Sequence, residues 1–148
     1  MSAMEQTGQC MCGAVSFVAR DVPSEFGACH CKMCQRWAGS ALLAVTVKRD
    51  AVTFAGTDAI SVAQTSDWAE RAWCNRCGSG LYYRVTAEGD HWGDYEIPIG
   101  LFDDPSGMRM TREIFIDRKP DAFAFEGVRD RLTEAEVLAL YGVTTEGA

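Results

Sequence analysis

The chain has 148 residues, of which 47% are hydrophobic and 24% charged, the balance of an ordinary globular protein with one domain over residues 1–148. A net charge of −7 opposes contact with phosphate backbones, so we expect no nucleic-acid partner. The longest mainly apolar run, Ala41–Val47, is far shorter than the roughly 20 residues that cross a bilayer. The first nine residues lack the pattern of a secretory signal. We therefore expect no membrane association and a cytoplasmic location.

Short segments rich in β-branched and aromatic residues recur along the chain between Gly, Pro and Asp. They predict strands over residues 14–19, 42–47, 52–54, 60–63, 81–85, 95–99 and 113–116. Turn-forming residues cluster at 87–90 and 103–107. This pattern indicates an all-β fold, with short strands in packed sheets arranged as a sandwich or an open barrel.

One short helix is predicted near the end of the chain. Thr133 can cap its first turn, and Glu136 can complete a capping box. Leu132 and Val137 have the spacing of a hydrophobic staple, and Gly142 ends the helix. We expect the helix to pack on the strands through Val137, Leu138 and Tyr141.

The seven cysteines are confined to three short motifs. The motifs are Cys10-Met11-Cys12, Cys29-His30-Cys31-Lys32-Met33-Cys34 and Cys74-Asn75-Arg76-Cys77. Thiols stay reduced in the cytosol, and an odd number leaves one unpaired in any complete disulfide scheme. The motifs therefore favour metal binding, with zinc as the expected ion.

The first and last motifs together supply four sulfurs. Cys74 and Cys77 flank a tight turn, for which Gly78 supplies the unusual backbone dihedral, and can direct both sulfurs at one ion. Cys10 and Cys12 project from the same face of an extended chain and are good candidates for the second pair. A closed four-cysteine site of this kind is structural.

The middle motif supplies three sulfurs within six residues, Cys29, Cys31 and Cys34. Three protein ligands with an open fourth position are typical of catalytic zinc. A fourth protein ligand, such as His30, His91 or a carboxylate, would instead close the site and make it structural. A different pairing of the cysteines between the two ions is also open, since spacing alone does not dictate which share an ion.

Four stretches, Gly8–Val15, Cys29–Arg36, Ser66–Leu81 and Gly100–Pro105, give the chain a family resemblance that extends from Gly8 to about Asp121. In this order they resemble the glutathione-dependent formaldehyde-activating enzyme family, whose domain is shared with centromere protein V. The resemblance implies an all-β, Mss4-like fold. It implies a structural zinc on Cys10, Cys12, Cys74 and Cys77 and a catalytic zinc on Cys29, Cys31 and Cys34.

The family's activity is that of a carbon–sulfur lyase that joins glutathione to formaldehyde and gives S-hydroxymethylglutathione. The resemblance therefore implies a small thiol, such as glutathione, and a small aldehyde as partners. Two positions depart from the family pattern: Glu113 stands where members often carry His, and Ala122 lies where they often carry Trp. Both lie outside the zinc motifs and concern the substrate more than the metal.

Several other residues are candidates for the reaction. We expect the open position to bind the substrate sulfur, because metal coordination deprotonates a thiol. Lys32 and Arg36 flank the site and could bind substrate carboxylates, and Arg71 matches the family pattern as a further anchor. His30 is a candidate general base or a buried hydrogen-bond donor. The alternative function is a non-catalytic zinc scaffold that binds a protein partner.

Overall fold

The computed structural model describes residues 4–142 and divides the chain into two compact units. The first unit consists of Met1–Ser24 and Ala44–Met108, and the second of Glu25–Leu43 and Arg109–Ala148. The described residues form eleven strands and two α-helices, so the prediction of a mainly β fold is confirmed. None of the described helices has both the length and the apolar character needed to cross a membrane.

The first unit contains two antiparallel arrangements of strands. One is a three-stranded sheet in the order β1–β2–β5, formed by β1 (Met4–Gln9), β2 (Ser16–Val22) and β5 (Val52–Ala55). In the other, neighbours follow the order β4–β9–β8–β7–β6. Its members are β4 (Leu42–Val47), β6 (Ile60–Gln64), β7 (Ala69–Cys74), β8 (Gly80–Val85) and β9 (Tyr95–Pro98), with β4 belonging to this unit from Ala44.

Aromatic side chains form the centre of the first unit. Alternation along β2 buries Phe17, whose ring centroid lies 5.7 Å from that of Phe54 and 5.2 Å from that of Phe102. Phe54 in turn contacts Tyr82 and Tyr95, whose rings meet edge to face at 4.8 Å. Burial raises the pKa of Tyr82 to about 12, so its hydroxyl stays neutral. This core supports the strand and the loops that carry four of the cysteines.

The second unit is a parallel three-stranded arrangement with two short helices. The strands follow the order β11–β10–β3 and are β3 (Glu25–Cys29), β10 (Arg109–Ile114) and β11 (Asp130–Leu132). Helix α1 (Lys32–Ala38) follows β3 directly, and α2 (Glu134–Tyr141) follows β11. Cys29 is the last residue of β3, so the middle cysteine motif spans the passage from this strand into α1.

The predicted strands and the C-terminal helix are largely confirmed. The structure contains the Thr133–Glu136 capping box, the end of α2 at Gly142, and buried Val137 and Leu138. Tyr141 was expected to pack on the strands with them but is 46% exposed; it is the last residue of α2, and its hydroxyl accepts a hydrogen bond from Arg112.

Other elements differ from the predictions. Strand β10 ends at Ile114, earlier than predicted, because Phe115 adopts a left-handed conformation (φ 56°) that begins a 3₁₀ turn. Strands β1, β3, β7 and β11 and helix α1 were not predicted.

Gly56 holds the first cysteine loop in place through close backbone contact. Its φ of 77° lies in the left-handed region, and a Cβ on this residue would lie 1.9 Å from the carbonyl oxygen of Ala14. Ala14 belongs to the loop that joins Cys12 to β2. Gly107 has a similar φ of 84°, but its Cβ position opens onto free space. A side chain at Gly56 would therefore cause both backbone strain and steric overlap, whereas one at Gly107 would cause backbone strain alone.

We expect Gly56→Ala to lower the free energy of unfolding by about 3 kcal/mol or more, since backbone strain and steric overlap both act. Gly107→Ala should lower it by about 1 kcal/mol, from strain alone. Urea denaturation of the two variants and the wild type measures both changes. Equal losses in the two variants would contradict the steric role given to Gly56.

Candidate metal centres

The structure brings four cysteines of the first unit together. Cys10 and Cys12 lie in the loop between β1 and β2, whereas Cys74 ends β7 and Cys77 lies in the turn before β8. Their four sulfurs all lie within 4.8 Å of one another. The Cys10–Cys12 and Cys12–Cys74 sulfurs are 3.7 and 3.8 Å apart. Tetrahedral coordination with metal–sulfur bonds of about 2.3 Å requires about 3.8 Å between sulfurs, so this group could hold a metal ion.

Two tight turns give these cysteines their positions. Gly13 donates to the carbonyl of Cys10, and Gly78 donates to the carbonyl of Cys74, each with a positive φ (80° and 83°). The amides of Val15 and Arg76 point at the sulfurs of Cys10 and Cys74, at 3.4 Å in each case. Such backbone donors stabilise thiolates and therefore suit a bound cation.

Ser79 connects the two halves of this group. Its hydroxyl oxygen accepts from the amide of Met11 at 2.9 Å and lies 3.3 Å from the sulfur of Cys77. The hydroxyl and amide of Ser79 lower the pKa of Cys77 to about 5. The amide of Ala14 lowers the pKa of Cys12, but burial and the neighbouring sulfurs outweigh it and raise that pKa to about 11. Cys77 and Cys12 of the same group therefore differ widely in acidity.

The second unit brings together the three cysteines of the middle motif. Cys29 ends β3, Cys31 caps α1, and Cys34 lies buried in the first turn of α1. Their sulfurs lie within 4.8 Å of one another, so this group too could hold a metal ion. Hydrogen bonding with Cys31 and Cys34, together with burial, raises the pKa of Cys29 well above its ordinary value. Among residues 4–142 the group has three members, and neither His30 nor His91 joins it.

Helix α1 fixes two of these three sulfurs. The sulfur of Cys31 accepts from the amide of Cys34 at 3.4 Å, in the manner of an N-cap side chain. The helix ends at Gly39, which is left-handed. Gln35 braces the other side, because its side-chain amide donates to the carbonyls of His30 (2.7 Å) and Arg118 (3.0 Å).

A network of charged side chains around a buried carboxylate lies next to this motif. We define the charge cluster as His30, Glu113, Arg129 and Arg131. His30 is fully buried, and its Nε2 lies 2.8 Å from Oε1 of Glu113, which is 1% exposed. Burial alone would raise the pKa of Glu113, but hydrogen bonds from His30, Arg129 and Arg131 outweigh it and hold the pKa below its ordinary value. Sequence reasoning noted Glu113 only as a departure from the family pattern and overlooked both arginines.

The predicted anchoring residues occupy different settings. Lys32 and Arg36 are exposed on α1, one helical turn apart and on either side of Cys34 in the chain. Arg71 belongs to the first unit, where it lies buried on β7 with its guanidinium 5.0 Å from the ring centroid of Tyr83. His91, also in the first unit, lies 3.4 Å from the carboxylate of Asp94.

We expect Ser79→Ala to weaken metal binding at the four-cysteine group by about tenfold, because partners that orient metal ligands contribute about that much affinity. Competition of the zinc-loaded protein against a chromophoric chelator measures the change. Ser16→Ala on β2 of the same unit is the matched control and should bind as the wild type does. Unchanged affinity in Ser79→Ala would show that Ser79 does not hold the two halves together.

Comparison with known proteins places this geometry in a family. The sequence profile described as "Glutathione-dependent formaldehyde-activating enzyme" matches residues 5–118. The chain is 27% identical over 134 residues to an uncharacterized lyase of Schizosaccharomyces pombe, covering 90% of this chain and 95% of that protein.

Two further proteins are similar. A protein of Halomonas elongata named "Putative glutathione-dependent formaldehyde-activating enzyme" is 35% identical over 83 residues, which are 51% of this chain and 53% of that protein. A solved Rhodobacter sphaeroides protein shares the fold with a TM-score of 0.54 and 20% identity, over 66% of this chain and 87% of its own. The chain belongs to the glutathione-dependent formaldehyde-activating enzyme family.

Proposed function

We propose that this chain is a zinc-dependent carbon–sulfur lyase that joins glutathione or a similar thiol to formaldehyde or a related small aldehyde. The observation that carries this proposal is the three-member group Cys29, Cys31 and Cys34. Three ligands leave a tetrahedral ion one position for an outside group, whereas the four sulfurs of the first unit complete the set. The family profile and the two named relatives support the same reaction class.

The donor sets of both groups suit zinc. Cysteine thiolates are soft ligands, and sets of three or four sulfurs favour zinc over magnesium, calcium or manganese. We assign a structural zinc to Cys10, Cys12, Cys74 and Cys77 and a catalytic zinc to Cys29, Cys31 and Cys34. When bound, the catalytic ion supplies positive charge that stabilises the thiolate form of the substrate.

The reaction is an addition that leaves oxidation states unchanged. The substrate sulfur forms one bond to the aldehyde carbon, and the thiol proton ends on the former carbonyl oxygen. No group leaves and no external oxidant or reductant takes part. The protein's contribution is to hold the thiol and the aldehyde in one place and orientation, which lowers the entropic barrier to their reaction.

Charge on the second unit suits an anionic thiol. The described residues of the first unit carry twelve Asp and Glu against six Lys and Arg, whereas those of the second carry eight of each. Among the described residues, the excess of acidic side chains thus belongs to the first unit, and the unit that contains the three-cysteine group carries no net charge from Asp, Glu, Lys and Arg. Lys32 and Arg36, exposed on α1, present two positive charges that could bind the carboxylates of glutathione.

The alternative is a zinc scaffold without catalytic activity. Thiols add to formaldehyde without a catalyst, so adduct formation alone does not demonstrate an enzyme. Elemental analysis of zinc per chain, combined with the rate of adduct formation, separates the two functions.

We expect two zinc ions per wild-type chain and one in Cys31→Ser, because two remaining sulfurs hold an ion poorly. Exchange between glutathione and its formaldehyde adduct, followed by NMR with the uncatalysed rate subtracted, should be accelerated by the wild type and not by the variant. The ion retained by the four-cysteine group and an unchanged circular dichroism spectrum are the controls. One ion in both proteins, or equal exchange rates, would support the scaffold instead.

We expect Lys32→Ala/Arg36→Ala to raise KM for glutathione roughly fivefold, since two exposed ion pairs contribute about 1 kcal/mol together. KM for 2-mercaptoethanol, which carries no charge, should stay unchanged with the same variant, as should kcat for both thiols. Arg109→Ala removes an exposed arginine of the same unit that pairs with Glu25 and serves as the matched control. An equal rise in KM for both thiols would exclude carboxylate binding by this pair.

A further inference from the structure

The charge cluster is built around a carboxylate that the protein has removed from water. Glu113 accepts at both oxygens: Oε1 from His30 at 2.8 Å, and Oε2 from Arg129 at 2.7 Å and from Arg131 at 3.0 Å. Arg129 is 10% exposed and Arg131 36%. A buried carboxylate is stable only when such partners compensate it, so these contacts hold Glu113 in one orientation.

The two arginines also hold the segment that covers His30. Arg131 donates to the carbonyls of Gly127 (2.8 Å) and Phe125 (3.4 Å), and Arg129 donates to that of Glu126. The rings of Phe123 and Phe125 lie against the imidazole, with centroids 6.1 and 5.9 Å away. These contacts confine the imidazole on a second side.

His30 is held at its side chain and at both backbone polar groups. Its amide donates to the carbonyl of Ile114 at 3.0 Å, and its carbonyl accepts from Gln35 at 2.7 Å. Because the carboxylate of Glu113 only accepts, Nε2 carries the proton that it donates there. Among the residues that the structure describes, no hydrogen-bond partner meets the buried Nδ1. The bond to Glu113 is therefore the polar contact that fixes the imidazole.

His30 lies in the chain between two of the three cysteines of the middle motif. Cys29 and Cys31 are its chain neighbours, so any rotation of the His30 backbone moves both sulfurs relative to Cys34. We infer that Glu113 is a positioning residue for the three-cysteine group. Clamped by Arg129 and Arg131, it holds His30 and thereby keeps the sulfurs of Cys29 and Cys31 converged for metal binding. This role rests on the proposed function only in that the group it shapes is the proposed reaction site.

The test is binding of Co²⁺ to the metal-free full-length protein, followed by its d–d absorption, in a titration that resolves two ions per chain. In Glu113→Gln we expect the ion of the three-cysteine group to bind at least about tenfold more weakly, with shifted absorption bands, as when partners that orient metal ligands are lost. The bands of the four-cysteine group should stay unchanged. Glu25→Gln is the matched control, since it breaks a different carboxylate–arginine pair of the same unit, the one between Glu25 on β3 and Arg109 on β10.

A double-mutant cycle separates positioning from a general loss of stability. If Glu113 acts through His30, adding Glu113→Gln to His30→Gln should weaken Co²⁺ binding no further than His30→Gln does. Additive losses, or unchanged affinity and bands in Glu113→Gln, would overturn the inference. So would an equal loss in Glu25→Gln.

Glu113→Gln leaves two arginines uncompensated, and this variant could fail to fold. Glu113→Asp then carries the test, because it retains the charge but is too short to reach both the arginines and His30. The same weakening and the same band shift are expected of it, and affinity equal to the wild type would overturn the inference.

These readouts require no turnover, so the two proposals can fail separately. If cobalt affinity depends on Glu113 but the wild type does not accelerate adduct exchange, then the proposed function is wrong and the positioning role stands. If the wild type accelerates adduct exchange but substitution of Glu113 leaves cobalt affinity unchanged, then the positioning role is wrong and the proposed function stands.

Discussion

Each of the two units of this protein packs cysteine sulfurs so closely that their thiolates would repel one another. Seven sulfurs lie in two groups, and within each group all sulfurs lie within 4.8 Å of one another. Burial and the neighbouring sulfurs raise the pKa of Cys12 to about 11, and hydrogen bonding with Cys31 and Cys34 together with burial raises the pKa of Cys29 well above its usual range. Coordination to a divalent cation would turn this unfavourable packing into ligand binding, and metal affinity and folding would then be linked in each group.

The two units support their groups by different means. In the first unit, contact between Cys12 and Cys74 joins residues 62 positions apart, and two glycine turns, backbone amides and Ser79 fix the geometry. A metal ion held by these cysteines would close this long loop, and such a clip stabilises a fold most when the loop is long in the entropic picture. In the second unit the three cysteines are close in the chain and span no long loop. Their geometry depends on helix α1 and on the charge cluster.

This difference explains which features could be predicted from the sequence. The three cysteine motifs and the capping box of α2 could be recognised because they are local patterns, whereas spacing alone left open which cysteines lie together. Strand β7, with the sequence AERAWC, has little β-propensity and forms because it pairs with β6 and β8 on either side. Helix α1 has seven residues and is capped by Cys31, an uncommon N-cap residue, so no capping signal marked it. The charge cluster joins positions 16 to 83 residues apart, which no local pattern shows.

Glu113 shows why a departure from a family pattern has to be interpreted in three dimensions. In the sequence it stands alone and bears on the substrate. In the fold it is 1% exposed, and Arg129 and Arg131 neutralise it from positions 16 and 18 residues further along the chain. Removing the partners of a buried charge destabilises a folded protein by several kcal/mol. Glu113 and its two arginines therefore stabilise the fold only as a complete set. The chemistry of position 113 therefore depends on the segment that precedes α2, and so does the orientation of His30, which lies between two cysteines of the three-cysteine group.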